Sequence, residues 1–248
     1  MTARRRGKTS ASPQRASRLA RYRRTMTSPK HTPPGAASAG FNGPEPWSNN
    51  SHYHPVVLGA VPAGAGTALD VGCGTGLLTR RLRQLVPGVT GIDRDERSIE
   101  LSRSHPGASD ISYLLGDFLT WPFEPGSFDF VSAVASLHHM DAEAALGRMG
   151  QLLRPGGALA VVGLAKETIP AGLLLSVPAV VGHRAHVVRE WLRKGPGAPA
   201  SRPYRPPIAW PPPMSYREVR DLAGRLLPGA HLHRHLYWRY SLVWTKPR

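Results

Sequence analysis

Residues 68–78 combine three closely spaced glycines with an acidic side chain. The apolar start of this stretch, followed by Gly72, Gly74 and Gly76, predicts a buried strand, a tight turn and the first turn of a helix. Because glycine has no Cβ, such a turn lets the backbone approach a nucleotide-like ligand closely. The spacing differs from the G-x-G-x-x-G fingerprint of dinucleotide sites, and Asp70 would place an anion beside the phosphates. We therefore expect a ligand with a cationic amino group and a sulfonium.

The residues from 67 to 164 alternate between short apolar runs and segments of helical periodicity. This alternation predicts a parallel β-sheet that is covered by helices on both faces. Asp141 is expected to cap the helix before the fifth strand, and Ser215 and Glu218 have the spacing of a capping box that opens a later helix. Two final strands are expected after that helix. The first five strands are predicted at 67–71, 88–93, 111–116, 128–134 and 157–163.

Polar residues follow several of these strands at the point where each strand ends. Asp93 ends the second strand, Asp117 follows the third, and residues 136–139 follow the fourth. The carboxyl ends of parallel strands meet at one edge of a sheet, where ligands bind. Since the glycine turn follows the first strand, we expect four separate regions to converge on one cleft.

Five motifs together make this sequence resemble the class I S-adenosylmethionine-dependent methyltransferases. The resemblance covers residues 50–164 strongly and the C-terminal helix and strands loosely. It implies an α/β fold with a Rossmann-like, doubly wound, seven-stranded and mostly parallel sheet that has helices on both faces. The motifs, in the family's order and spacing, are Asp70-Val71-Gly72-Cys73-Gly74-Thr75-Gly76, Gly91-Ile92-Asp93, Gly116-Asp117-Phe118, Phe128-Asp129-Phe130-Val131 and Leu153-Arg154-Pro155-Gly156-Gly157.

The resemblance also implies S-adenosyl-L-methionine as the cofactor and assigns its methionine end to the glycine turn. Gly72, Gly74 and Gly76 would line the methionine and ribose part, and Asp70 would lie near the amino group, directly or through water. We expect Cys73 to be a small residue of this tight turn rather than a nucleophile.

The nucleoside end of the cofactor is assigned to the next two strand ends. Asp93, followed by Arg94, would accept hydrogen bonds from both ribose hydroxyls, which one carboxylate can do. Asp117 would bind the adenine amino group, with Phe118 next to the ring. The alternatives are that Asp93 only caps the following helix and that Asp117 is a plain turn residue.

The segment after the fourth strand is expected to face the reactive methyl group. Ser136 and Leu137 would lie closest to it. Transfer from a sulfonium needs alignment and exclusion of water, and it needs a base only when the acceptor must lose a proton. His138 and His139 are the candidates for that base, and structural histidines are the alternative.

A second candidate group precedes the first strand, where the resemblance implies a helix over the cofactor. His52, Tyr53 and His54 place polar groups on an aromatic surface, and we expect at least one of them to line the active site. Helix capping and packing are the alternative. No carboxylate or cysteine is placed to complete a metal site with these histidines and those after the fourth strand, so we expect no bound metal.

The sequence favours a small-molecule acceptor. The run after the fourth strand lacks the Asn/Asp-Pro-Pro-Tyr/Phe pattern of exocyclic amine methylation in nucleic acids, and Cys73 is misplaced for methylation of pyrimidine carbon. Residues 165–214, whose last part contains eight prolines from Gly195 to Met214, form an insertion that would cover a small molecule. The alternatives are an RNA or protein methyltransferase, a non-catalytic cofactor-binding module and an NAD-dependent oxidoreductase.

The positive charge is concentrated at the N-terminus. Residues 1–25 hold nine Arg and Lys and no acid, out of a net charge of +16. We expect residues 1–40 to be a disordered basic tail, with Met26 as an alternative start, and residues 41–248 to form one methyltransferase domain. Nucleic-acid binding through this tail is an alternative that we do not favour. No segment reaches the length of a membrane span and there is one cysteine, so we expect a cytoplasmic protein without an internal disulfide.

Overall fold

The sheet has the strand order β3-β2-β1-β4-β5-β7-β6. It is seen in a computed structural model that describes residues 50–166, 210–235 and 238–248. The predicted tail and most of the predicted insertion lie outside these residues. The strands are β1 Thr67–Val71, β2 Gly88–Asp93, β3 Ile111–Leu115, β4 Phe128–Val134, β5 Leu153–Leu164, β6 His231–Arg234 and β7 Arg239–Thr245. The helices are α1 His54–Gly59, α2 Leu77–Arg83, α3 Glu96–Arg103, α4 Ala142–Leu152 and α5 Tyr216–Leu226.

The first five strands are parallel, and β7 pairs antiparallel with both β5 and β6. The chain starts in the middle of the sheet, runs outward through β2 and β3, and then returns to the other side of β1 with β4. This reversal creates a crevice at the carboxyl ends of β1 and β4, which is where ligands bind in open α/β sheets. The predicted seven-stranded Rossmann-like fold is therefore confirmed.

Both faces of the sheet are covered by helices, because alternate residues of each strand point to opposite sides. On β4, Phe130 packs with Val57 of α1 and Leu82 of α2 in one core cluster. The next residue, Val131, belongs to a second cluster with side chains of α4 and α5. The strands in the middle of the sheet, β1, β4 and β5, are mostly apolar because both of their faces are largely buried.

The predicted helix caps are present. The Asp141 side chain accepts a hydrogen bond from the Ala144 N–H at the start of α4. At α5, Ser215 and Glu218 form both hydrogen bonds of a capping box. Each cap satisfies N–H groups that have no partner inside the helix.

Asp129, the second residue of β4, connects this strand to residues far away in the chain. Its Oδ2 accepts hydrogen bonds from the N–H groups of Gly66 and Thr67 at 2.8 and 3.0 Å. Its Oδ1 pairs with Arg154 at 2.9 Å. These bonds lower the pKa of Asp129 despite its partial burial. The carboxylate therefore connects the start of β1 to β4 and β5, at the ends of the strands opposite the crevice.

Candidate active site

The glycine turn after β1 has three glycines with left-handed backbone angles. The φ values are 69° at Gly72, 53° at Gly74 and 78° at Gly76. A Cβ at Gly72 would lie 2.3 Å from the Cβ of Ser136, and one at Gly76 would lie 2.4 Å from the hydroxyl of Tyr113. A Cβ at Gly74 would meet nothing within 4 Å. Two of the glycines therefore permit tight packing, and the third presents bare backbone to open space.

Asp93 connects the end of β2 to this turn. Its Oδ2 accepts a hydrogen bond from the Gly74 N–H at 2.8 Å, and its Oδ1 accepts one from the Asp95 N–H at 2.9 Å. Asp95, rather than Asp93, caps α3, since its own carboxylate accepts from the Ser98 N–H. Each oxygen of Asp93 can accept more than one hydrogen bond, so acceptor capacity remains for a ligand.

Asp70 is enclosed, with only 2% of the residue exposed. Its two oxygens accept hydrogen bonds from the hydroxyl groups of Thr79 at 2.8 Å and Ser132 at 2.9 Å. Burial raises the pKa of Asp70 to about 6, although both hydroxyls oppose this rise. Asp93 adds to it by electrostatic repulsion. Asp70 thus links β1, β4 and α2, and no sequence pattern identifies Thr79 and Ser132 as its partners.

Cys73 packs in the turn as a small buried side chain. Its Sγ lies 2.9 Å from the place where a Cβ on Gly91 would stand, so the two residues fit each other closely. Burial raises the pKa of the Cys73 thiol, and the nearby carboxylates of Asp70 and Asp93 raise it further. A thiol that stays protonated is a poor nucleophile, which agrees with the interpretation of Cys73 as a packing residue.

Asp117 and Phe118 follow β3, and their side chains lie in different surroundings. Asp117 is partly exposed, accepts a hydrogen bond from the Leu119 N–H at 2.8 Å, and lies 3.8 Å from the guanidinium of Arg94. Phe118 is buried in the core, with the guanidinium carbon of Arg148 at 5.7 Å from the centre of its ring. Asp117 and Arg94 are therefore accessible to a ligand, whereas the Phe118 ring is mostly covered.

The loop after β4 folds back onto the end of β1. Ala135 adopts a left-handed φ of 52°, and its N–H donates to the carbonyl of Val162 in β5. The Ser136 hydroxyl then donates to the carbonyl of Val71 at 2.7 Å. Leu137 is buried in the core. This path brings Ser136 against the glycine turn and carries the next residues to the edge of the crevice.

His138 and His139 lie side by side, with their ring centres 4.1 Å apart. Within the described residues, Nδ1 of His138 is buried and has no hydrogen-bond partner. Burial lowers the pKa of His138 to about 4, and His139 and Arg239 contribute to this shift. The His138 imidazole is therefore neutral at pH 7, so one ring nitrogen can accept a proton or a hydrogen bond.

A cluster that the sequence analysis missed lies beside these histidines. We call it the Tyr53–Arg239 cluster; it consists of Asn50, Tyr53, His235 and Arg239. The Tyr53 ring lies 4.8 Å from that of His235 and 5.9 Å from the guanidinium carbon of Arg239. Arg239 Nη2 donates to Asn50 Oδ1 at 2.6 Å. The sequence contains one sign of this cluster. Arg239 is a charged residue at the start of an apolar C-terminal strand, which is unusual.

His54 does not join this cluster. It is buried against α2, where its Nδ1 lies 3.1 Å from a guanidinium nitrogen of Arg81. Burial lowers the pKa of His54 to about 3, and the charge of Arg81 contributes. Of the candidate residues before β1, Tyr53 therefore belongs to the Tyr53–Arg239 cluster, whereas His54 packs against α2. His52 contacts the Tyr53 ring edge-on at 5.0 Å.

In the ranges 50–166, 210–235 and 238–248, no group of three or more His, Cys, Asp or Glu side chains could hold a metal ion. No helix in those same ranges has the length and apolar character needed to cross a membrane.

Known proteins share both the sequence and the fold. A family model described as a methyltransferase domain matches residues 69–161. An uncharacterized methyltransferase of Mycobacterium tuberculosis is 36% identical over 205 residues, which are 82% of this chain and 98% of that protein. An O-methyltransferase of Penicillium expansum is 38% identical over 112 residues, which are 43% of this chain and 41% of that protein.

A solved structure supports the same fold. A chain from the complex of the Haloferax volcanii Trm112 methyltransferase activator with a methyltransferase gives a TM-score of 0.54 at 18% identity. The match covers 80% of this chain and 91% of that chain. Sequence motifs, sheet order and the long match to the mycobacterial relative agree, so the chain belongs to the class I S-adenosylmethionine-dependent methyltransferases.

Proposed function

We propose that this enzyme transfers a methyl group from S-adenosylmethionine to an oxygen atom of a small molecule. The observation that carries the proposal is the path of the loop after β4. Ser136 holds this loop against the glycine turn, and His138, two residues later, comes close enough to Arg239 for that charge to lower its pKa. One short loop therefore joins the cofactor side of the crevice to a polar, enclosed acceptor side.

The residues on the cofactor side fit the cofactor. The bare backbone of Gly74 leaves room for the methionine end, and the fixed carboxylate of Asp93 has capacity for ribose hydroxyls. Asp117, accessible at the end of β3, would accept a hydrogen bond from the adenine amino group. When bound, S-adenosylmethionine supplies a methyl group on a sulfonium, so the acceptor lone pair forms the new bond while the carbon–sulfur pair returns to sulfur.

The residues on the acceptor side hold the acceptor and receive its proton. A hydroxyl acceptor must lose one proton as its oxygen is methylated. His138 is neutral, so its ring nitrogen that carries no proton can accept a hydrogen bond from the acceptor hydroxyl. The lowered pKa makes it a weak base, so it takes the proton only as the methyl group is transferred. Tyr53 contacts the ring of His235 and the guanidinium of Arg239. His139, whose ring lies tilted against that of His138 with 4.1 Å between the ring centres, is the second candidate for this role.

A labelling experiment tests this proposal. The protein is incubated with cofactor carrying a radioactive methyl group and with cell extract, which is then separated by ultrafiltration. The filtrate is then resolved by chromatography. We expect label in a small-molecule product distinct from S-adenosylmethionine, strongly reduced for His138→Ala and unchanged for His231→Ala, an exposed histidine on β6. Label found only in the retained RNA or protein would overturn the small-molecule acceptor, and absence of label with intact cofactor binding would favour a non-catalytic module. The relative from Penicillium expansum, named as an O-methyltransferase, supports the choice of oxygen.

A further inference from the structure

Asp117 lies in a loop whose shape is set by backbone hydrogen bonds. Its carboxylate accepts a hydrogen bond from the Leu119 N–H at 2.8 Å, and its backbone carbonyl accepts one from the Trp121 N–H at 2.9 Å. The Trp121 ring also packs on the residue that follows β3, since a Cβ on Gly116 would lie 2.5 Å from that ring. The direction of the Asp117 carboxylate therefore depends on where Leu119 and Trp121 are held.

Arg148 of α4 contacts this loop at two points. Its Nη2 donates a hydrogen bond to the carbonyl of Trp121. Its guanidinium carbon lies 5.7 Å from the centre of the buried Phe118 ring, which is within the range of a cation–π contact. One guanidinium thus holds the residue directly after Asp117 and the residue whose N–H closes the turn on Asp117.

Packing alone does not account for an arginine at this position. The neighbouring positions of α4 that face the core, Leu146 and Met149, are apolar. Within the described residues, Nε of Arg148 is buried and has no hydrogen-bond partner. A buried polar group without a partner costs stability, and an apolar side chain of similar length would avoid that cost. A role in holding the loop after β3 accounts for the arginine.

We infer that Arg148 is a positioning residue that gives the cofactor site its preference for adenine, because it holds the loop in which Asp117 meets the adenine amino group. The inference rests on the proposed function, since it concerns how that same site selects its cofactor. Arg148 acts through Trp121 and Phe118 rather than by contact with the ligand. A carboxylate that is fixed before binding loses less entropy when it accepts a hydrogen bond, and a loosened loop gives up part of this advantage.

Calorimetry with two ligands measures the preference for adenine. One ligand is S-adenosylhomocysteine, and the other is its purine analogue, which carries hydrogen in place of the amino group and is otherwise identical. We expect the wild-type protein to bind S-adenosylhomocysteine about 10-fold or more tightly than the analogue, since a hydrogen bond to a charged group is lost with the amino group. Equal affinities in the wild type would overturn the inference.

Substitution of Arg148 tests its part in this preference. Arg148→Met keeps a long side chain and removes the donors, so the preference should fall to about 3-fold or less. An arginine with a purely structural role would change both affinities by the same factor and leave their ratio unchanged. Arg97→Met, which replaces an exposed arginine of α3, is the matched control and should keep the wild-type ratio.

Thermal unfolding is recorded for each protein, and Arg148→Lys covers the case in which Arg148→Met does not fold. Lysine retains the charge and a donor but not the planar fork, so the preference should lie below that of wild type and above that of Arg148→Met. The full wild-type preference in either folded variant would contradict the inference.

The two proposals fail in different ways. Failure of the proposed function would appear as no binding of S-adenosylhomocysteine, or as no labelled small-molecule product in the ultrafiltration experiment. Failure of the inference alone would appear as normal binding of S-adenosylhomocysteine with a preference that is absent, or that persists unchanged in the Arg148 variants.

Discussion

The carboxylate of Asp93 accepts a hydrogen bond from the backbone N–H of Gly74 at 2.8 Å. This bond joins the end of β2 to the turn after β1 and fixes the carboxylate before any ligand arrives. A second bond, from the Asp95 N–H, holds its other oxygen. In the proposed binding mode, the acceptor capacity left on Asp93 is preorganised for ribose hydroxyls, which would reduce the conformational entropy lost on binding.

Replacement of Asp93 tests this arrangement. We expect Asp93→Ala to weaken the binding of S-adenosylhomocysteine by about 10- to 100-fold, because hydrogen bonds to a charged group contribute about 1.5–3 kcal/mol. Calorimetric titration measures the effect. Asp110→Ala removes an exposed aspartate that pairs with Arg83, and it should leave affinity unchanged. Wild-type affinity in the Asp93→Ala protein would show that the ribose is held elsewhere.

Alanine substitutions in the glycine turn should separate binding from stability. Gly74→Ala places a methyl group in open space, so we expect a stability loss of about 1–2 kcal/mol from the left-handed backbone alone. Affinity for S-adenosylhomocysteine should fall strongly, since the methyl group enters the space that the cofactor needs.

Gly76→Ala is the contrasting variant. Its methyl group would overlap the buried Tyr113 hydroxyl, which adds about 1–3 kcal/mol to the loss of stability. Urea unfolding and calorimetry on both variants give the comparison. Equal stability of the two would argue against the packing role of Gly76.

Asp70 should make stability depend on pH in an unusual direction. Its folded-state pKa of about 6 lies above its ordinary value of 3.8, so the folded protein binds more protons than the unfolded chain between these values. The Asp70 contribution to the free energy of unfolding therefore falls as pH rises through this window. Asp70→Asn removes this contribution. The free energy of unfolding of the variant, relative to that of wild type, should therefore rise by about 2 kcal/mol from pH 4.5 to 7.

Urea unfolding at several pH values measures this difference. Other titrating groups cancel, because both proteins contain them. A difference that stays constant with pH would show that Asp70 has an ordinary pKa. Cofactor affinity should still fall in the variant, since the negative charge near the turn is lost.

His54 should act in the opposite direction. Its folded-state pKa of about 3 lies below its ordinary value of 6.5, so stability that is present above pH 6.5 is lost as the pH falls toward 3. His54→Gln cannot gain this charge, so wild type should lose about 2–3 kcal/mol relative to the variant between pH 7 and 4.5. His231→Gln, on the exposed position of β6, is the control and should show no such shift. Parallel pH curves for wild type and His54→Gln would contradict the expectation.

The cofactor side of the site was predictable from the sequence because its residues stand next to the patterns that place them. Asp93 and Asp117 directly follow apolar strand runs, and parallel strands send such positions to one edge. The predicted bounds of the strands agree with those in the structure for the same reason. β5 differs most, because it begins at Leu153, four residues before the predicted start at residue 157, and it has a register shift against β4.

The acceptor side was not predictable, because long-range pairing decides it. Arg239 reaches the crevice only through the antiparallel pairing of β7 with β5, which no local pattern announces. Tyr53 and His54 are neighbours in the sequence, yet one packs on Arg239 and the other on Arg81. Asp129 similarly binds two residues that are far away in the chain: it accepts a hydrogen bond from Gly66 and forms an ion pair with Arg154.

The place of β7 between β5 and β6 has a consequence for the order of synthesis. The four strands that build the cofactor side, β3, β2, β1 and β4, come from one continuous stretch and leave the ribosome together. Arg239 arrives with the last strand of the chain. A growing chain can therefore complete these four strands first, and the Tyr53–Arg239 cluster forms only when β7 docks beside β5.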